Sequence, residues 1–225
     1  LTLAFCELSG VRTIRLIPSA RHKPPVLEKL ARAFGHREQL AALEGLTSGR
    51  LIGQQKGVPG ISPEALASGY GYSYINAAFA YTRTQGNRFN PPEWGAWYSA
   101  FSINTALTEV SYHLTRALEA TGSFDNVTQY IELKATFTAE FCDLRDILPK
   151  PLCLHSDCDI AYPEGQKLAA GLRESGGNGI VYPSARDPAG TCLVAFWPGL
   201  VQDFQQGANW KLEWKGSREP SISQV

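Results

Sequence analysis

Residues suited to one chemical task are spread across this chain. Arg88 lies in a Gly/Pro-rich turn, Gly86-Asn87-Arg88-Phe89-Asn90-Pro91-Pro92, and Tyr98 follows in Trp97-Tyr98-Ser99. Glu109 closes Thr105-Ala106-Leu107-Thr108-Glu109, and Ser184 stands in Tyr182-Pro183-Ser184-Ala185-Arg186. A planar guanidinium can clamp a phosphate or carboxylate through two parallel hydrogen bonds. An aromatic face can sandwich a heteroaromatic ring while its hydroxyl orients it. A helical carboxylate can bond a ribose hydroxyl or stabilise an oxocarbenium-like centre as a glycosidic bond breaks. Together these groups suit a doubly phosphorylated, aromatic, ribose-containing ligand. Arg15 adds a cation inside an apolar strand, Thr13-Ile14-Arg15-Leu16-Ile17. A charge there requires a partner, either a salt bridge or a ligand.

Other chemistries find less support. Ser184 lacks the flanking glycines of a nucleophile elbow, and His22, His36, His113 and His155 show no triad or metal spacing with it. Cys153-Leu154-His155-Ser156-Asp157-Cys158, with Cys142, offers thiols and an imidazole, but the spacing is irregular and no second cysteine pair follows. No metal site is expected. Neither a dinucleotide-binding glycine fingerprint nor a phosphate-cradling loop followed by a helix is present.

The elements that must position these residues read as follows. Residues 11–17 form a strand closed by Pro18. Apolar residues recur at helical spacing over 26–46 and predict two helices split at Gly35, part of an N-terminal helical extension over about 24–70. Ser62-Pro63-Glu64 is a helix start. The aromatic run 72–81 reads as a buried strand, with a short helix as the alternative. Residues 96–101 form a strand. A helix spans 104–120, with Leu107, Val110, Leu114, Ala117 and Leu118 on one side and Gly122 as its stop. Residues 129–141 alternate cleanly, Ile131, Leu133, Ala135, Phe137, Ala139 and Phe141 against Tyr130, Glu132, Lys134, Thr136, Thr138 and Glu140. A short helix over 164–174 follows, then strands over 180–182, 192–197 and 210–214. The polar tail 216–225 is expected to fray. Helices first and strands dominating later make the class α+β, in one domain over 1–225.

Composition narrows the partners. The 225 residues include 44% hydrophobic and 19% charged side chains, so the chain is globular. Its 21 basic and 21 acidic residues balance, with no basic stripe to hold nucleic acid. No apolar run approaches the ~20 residues that span a bilayer. Phe5 is too bulky for the position before a lipoprotein cysteine, so the apolar start reads as a first strand. The chain has no Met, and its natural start is expected upstream. Five scattered cysteines predict reduced thiols and a cytoplasmic setting.

In order and approximate spacing, Ile14-Arg15-Leu16-Ile17-Pro18-Ser19, Gly86-Asn87-Arg88-Phe89-Asn90, Trp97-Tyr98-Ser99, Thr105-Ala106-Leu107-Thr108-Glu109 and Tyr182-Pro183-Ser184-Ala185-Arg186 resemble the RES domain, the toxin half of bacterial RES–Xre toxin–antitoxin pairs. The resemblance runs from about Arg15 to Trp197. It implies a fold like that of ADP-ribosyltransferases, with small β-sheets around a cleft flanked by helices. It implies NAD as substrate, cleaved at the nicotinamide–ribose bond, with ADP-ribose passing to a protein target or, alternatively, to water or phosphate. It implies Glu109, Arg15 and Tyr98 as catalytic residues, and Arg15, Arg88, Tyr98, Ser184 and Asn90 as NAD-binding residues. Its partner would be an Xre-type helix-turn-helix antitoxin, which would carry any DNA contact. Beside the first arginine some family members have a tyrosine, whereas this chain has Ile14 and Leu16. A non-catalytic nucleotide-binding or interaction module is the reading from another class.

Overall fold

The alternating run becomes the central strand. In the computed structural model, which describes residues 3–19 and 57–225, β3 (Asp125–Asp143) pairs on one side with β1 (Ala4–Pro18) along nearly its whole length. On its other side it meets β6 (Gln202–Lys215) and, in its last residues, β4 (Gly179–Pro183). Strands β2 (Trp97–Ala100), β5 (Thr191–Ala195) and β7 (Ser221–Gln224) complete a seven-stranded sheet, in the order β1-β2-β5-β4-β3-β6-β7. Only β3 and β4 run parallel. Because β1 bonds both β2, at Ile14–Ala100, and β3, five strands close into a ring.

Ile131, Leu133, Ala135, Phe137 and Phe141 share one apolar cluster, as the alternation predicts. Glu132 departs from its expected solvent face. It is 4% exposed because β6 lies over it. Trp210 Nε1 donates to its Oε1 at 2.7 Å, the Ala208 amide donates to Oε2 at 3.2 Å, and Lys134 Nζ lies 2.9 Å from Oε2. The class is α+β, with one multi-stranded sheet among the described residues in place of the several small ones expected. The length of β1 and β3 makes the difference, since each bridges neighbours that shorter strands would leave in separate sheets.

Among the described residues three helices flank the sheet: α1 (Tyr72–Ala80), α2 (Ile103–Thr121) and α3 (Cys158–Glu174). The 72–81 segment takes the helical alternative. Gly71 starts it at φ +80°, where a side chain would strike the Phe204 ring, and Tyr74, Ile75, Ala78 and Phe79 bury one side. Helix α2 follows its sequence signals. Ser102 Oγ caps it by accepting from the Thr105 amide at 3.1 Å, and Gly122 ends it at φ +71°. Leu107, Val110, Leu114 and Leu118 pack against Tyr130, Leu212 and Trp214, each fully buried apolar side chain contributing roughly 1.5–3 kcal/mol. Helix α3 begins six residues earlier than expected, because Asp157 caps it ahead of Pro163.

The helices expected over 26–46 lie outside the described residues. Within 57–70, the start at Ser62 yields only a 3-10 turn, Pro63–Ala65, because Leu66 is extended at ψ 146°. The tail expected to fray instead places β7 against Trp210–Glu213 of β6.

Candidate functional site

Arg88 is held by a turn that glycine makes possible. Gly86 has φ +69°, and a Cβ there would collide with the Asn90 carbonyl oxygen. The Asn87 amide donates to that oxygen at 2.8 Å, closing the turn. Asn90 is fully buried and its side chain is committed internally. Nδ2 donates to the carbonyls of Pro91 (3.0 Å) and Trp94 (2.8 Å), while Oδ1 accepts from Asn87 Nδ2 (3.0 Å) and the Tyr98 hydroxyl (2.9 Å). Helix α3 clamps the turn from outside. Gly165 packs so closely on the Arg88 carbonyl that no side chain would fit, and Gln166 Nε2 donates to the carbonyls of Gln85 and Asn87. The Arg88 guanidinium donates through Nη1 to the carbonyls of Cys153 (2.7 Å) and His155 (3.0 Å).

Tyr98 links this turn to β1. Its hydroxyl accepts from the Phe89 amide at 2.9 Å and donates to Asn90. Its carbonyl accepts from Arg15 Nη1 at 3.1 Å, and the Arg15 guanidinium lies 5.2 Å from the Trp97 ring centroid. Burial drives the Tyr98 phenol far above its ordinary pKa, against the opposing pull of the Phe89 amide, Arg88 and Arg15. The Tyr98 hydroxyl therefore does not trade protons near neutrality, and it holds the Arg88 turn. Arg15 joins the group through Tyr98.

Glu109 and Ser184, 75 residues apart, meet directly. The Ser184 hydroxyl donates to Glu109 Oε1 at 2.5 Å and accepts from the amides of Arg186 (3.1 Å) and Asp187 (3.0 Å). Its one proton and its acceptor capacity are thus committed. Sequence reasoning assigned Ser184 and Asn90 to the ligand; in the structure the hydrogen-bonding atoms of both side chains are engaged within the protein. The Glu109 side chain keeps 26% of its surface exposed, and Oε2 lies 4.0 Å from His113 Nε2. Buried Tyr182 connects the two groups. Burial raises its phenol well above the ordinary value, with the nearby Cys192, Tyr98 and Glu109 adding and Arg88 opposing, and its ring meets Phe89 edge-on at 4.8 Å.

His113 reports the charge of the opening. Burial, then Arg83, Arg186, Arg88 and Arg116, push its imidazole down to about 4. The four guanidinium groups that act on it come from four elements, the loop after α1, the turn, α2 and the 184–190 loop. Arg186 lies 3.4 Å from the Tyr112 ring centroid and donates to the Ser156 carbonyl at 2.6 Å. Tyr162 of α3 also feels Arg83 and Arg88. The arrangement sets guanidinium groups and tyrosine rings beside the partly exposed Glu109 carboxylate, a combination suited to an anionic ligand bearing aromatic rings. Arg83, Arg116, Tyr112, His113 and Tyr162 carried no local sequence signal. Only the helical spacing of Tyr112, His113 and Arg116 from Glu109 could have placed them on one side of α2.

Cys153 is buried and its thiol pushed up to about 11, mainly by that burial. Among the described residues no cluster of three or more His, Cys, Asp or Glu is arranged to hold a metal ion, and no helix is long and apolar enough to cross a membrane.

A family model described as the RES domain matches residues 65–215. That span includes Arg88, Asn90, Tyr98, Glu109 and Ser184, and begins after Arg15. No curated protein matches the sequence. Among solved structures the chain is similar to one in the crystal structure of the M. tuberculosis MbcT–MbcA toxin–antitoxin complex, at 18% identity and a TM-score of 0.40, over 56% of this chain and 72% of that one. That likeness is too loose to bear on mechanism. The family match covers the greater part of the chain and every element that builds the Glu109 opening, and the protein belongs to the RES-domain family.

Proposed function

We propose that this protein is a toxin that cleaves the nicotinamide–ribose bond of NAD and passes ADP-ribose to a protein target. The observation that carries the reading is the Glu109 carboxylate, held by Ser184 on the helix that carries Tyr112, with the Arg186 guanidinium over the Tyr112 ring. NAD combines two phosphates, two heteroaromatic rings and two riboses, and these groups match that set. Arg88 and Arg186 would grip the pyrophosphate, with Arg83 and Arg116 drawing the anion in. Arg15 would act from the β1 side of Tyr98. The rings of Tyr112 and Tyr162 are the aromatic surfaces beside the cations.

Nicotinamide leaves as a neutral molecule, so departure needs little acid catalysis. The requirement is to hold the dinucleotide still and to stabilise positive charge on the ribose. A carboxylate with one oxygen already hydrogen-bonded and a side chain still partly exposed is preorganised for that task. His113, kept neutral by its surroundings, would not compete for the Glu109 charge near pH 7.

Purified protein incubated with NAD should release free nicotinamide, and Glu109→Gln should bind NAD while losing turnover by about a hundredfold or more. No release from wild type, with phosphate or cell extract present, would remove the enzyme reading and leave a nucleotide-binding module. Labelled NAD in lysate decides the acceptor: label on one protein band supports transfer, and label only in free ADP-ribose or its phosphate supports NAD depletion. A toxin of this kind requires restraint in its own cytoplasm, and an Xre-type helix-turn-helix antitoxin covering the opening would supply it.

A further inference from the structure

The Ser184 loop is stapled to α2 twice. Ser184 meets Glu109, and Asp187 Oδ2 accepts from Thr105 Oγ1 at 2.7 Å. Thr105 and Glu109 stand four residues apart on α2, so the two contacts share one helical face. Thr105 is itself oriented, because Ser102 Oγ accepts from its amide and lies 2.8 Å from its hydroxyl oxygen. With the Thr105 proton given to Asp187, the Ser102 hydroxyl is the donor to Thr105. The loop is also closed on itself. The Ser184 amide donates to the Gly190 carbonyl at 2.8 Å and the Gly190 amide donates to the Asp187 carbonyl at 2.9 Å. A Cβ at Gly190 would lie 2.6 Å from Thr105 Cγ2 and 2.7 Å from Asp187 Oδ2, so the close approach depends on glycine.

Every donor in this circuit points toward Glu109. Ser102 donates to Thr105 and Thr105 to Asp187; the Asp187 amide donates to Ser184, and Ser184 to Glu109. One staple alone would let the loop pivot about Ser184, and the second removes that freedom. Asp187 also sits against the first turn of α2, where the helix dipole favours a negative charge.

We infer that Asp187 is a positioning residue for the reaction, latching the 184–190 loop to α2 through Thr105 so that the Ser184 hydroxyl stays aimed at Glu109. This rests on the reading of Glu109 as the group that stabilises the cleaving ribose. Arg186 has its own ties to Ser156 and Tyr112, so ligand binding does not depend on the latch.

The test compares Thr105→Val, which keeps the buried shape without the hydroxyl, with Thr105→Ser, which restores it. Two measurements are made on the full chain, hydrogen exchange over 184–190 and nicotinamide release as a function of NAD. Thr105→Val should speed exchange of the Arg186 and Asp187 amides about tenfold or more and lower kcat by about ten- to a hundredfold, with KM within about twofold. Thr105→Ser should match wild type in both. Unchanged exchange in folded Thr105→Val, or a rise in KM with kcat intact, would overturn the latch. If wild type releases no nicotinamide, the functional reading fails while the exchange measurement still decides the latch. Should Thr105→Val not fold, Asp187→Ala, which removes the acceptor, takes its place, judged by the same two outcomes.

Discussion

Replacing Ser184 with alanine separates two roles that the side chain could play. The hydroxyl makes three hydrogen bonds, accepting from the Arg186 and Asp187 amides at 3.1 and 3.0 Å and donating to Glu109 at 2.5 Å. Each neutral bond contributes about 1 kcal/mol net, and a bond to a charged group about 1.5–3 kcal/mol. Glu109 is partly exposed, so water can replace its lost donor, and the lower end of that range applies. Ser184 itself is buried, and the two amides lose a partner. Alanine should therefore cost about 3 kcal/mol, lowering Tm by roughly 6–12 °C for a domain of this size. The kinetic consequence is more diagnostic. Without its donor, Glu109 gains freedom to turn away, and kcat should fall by about ten- to a hundredfold. KM should hold, because the hydroxyl has nothing left to offer a ligand. Thermal melts by circular dichroism and steady-state nicotinamide release below the melting range measure both. An unchanged Tm, or a raised KM at wild-type kcat, would refute the reasoning, and the second result would mean that Ser184 touches the substrate.

Three further outcomes are expected. Arg173 lies 4.6 Å from the ring centroids of both Trp94 and Trp197 and donates to the Gly60 carbonyl, so Arg173→Met should lower Tm by several degrees at about 0.5–1 kcal/mol per ring; a melt matching wild type would count against the sandwich. Burial pushes the Glu132 carboxyl up, but its bonds from Lys134, Trp210 and the Ala208 amide outweigh this and hold it below the ordinary 4.5. Its stabilisation is therefore present above about pH 5 and lost as pH falls through the folded value, and Glu132→Gln should flatten the acid limb of Tm against pH. His113 should titrate near 4 by NMR, and stability should rise with pH between about 4 and 6.5, where the unfolded chain binds the proton and the native one does not. NAD should raise that value by neutralising the arginines, and a His113 titration at 6.5 in the free protein would mean that neither burial nor the guanidiniums act on it as described.

What the sequence discloses divides by the range of the interaction responsible. The ends of α2 are local, a serine cap and a left-handed glycine, and they stand where the sequence puts them. The alternation of β3 is also local and correctly sorts Ile131 to Phe141 into one cluster. It misassigns Glu132, because that burial comes from β6, more than seventy residues away. The 72–81 segment carries aromatics that suit either a strand or a helix, and Gly71 with the Phe204 ring selects the helix. In the site, motif order singles out Arg88, Tyr98, Glu109 and Ser184, and the structure sets Ser184 on Glu109 and the Tyr98 hydroxyl on the Arg88 turn. Motif spacing does not show that the Asn90 and Ser184 hydrogen-bonding atoms are already occupied. The arginine rim escapes notice for a related reason. Arg83, Arg88, Arg116 and Arg186 belong to four elements in a chain whose total charge is zero.

The closed ring of strands bears on where this polypeptide can be cut. The block matched by the family model starts at residue 65, yet β1 lies wholly before it and joins β2 to β3. A fragment trimmed to that block would unzip the ring at both seams. The long flank of β3 would then present bare amides and carbonyls to any passing chain, a template for aggregation. Expression of the matched block alone should give insoluble material, and adding residues 3–19 as a separate peptide should rescue it. The first strand, which carries Arg15, is thus the keystone of a structure whose family-matched span begins only at residue 65.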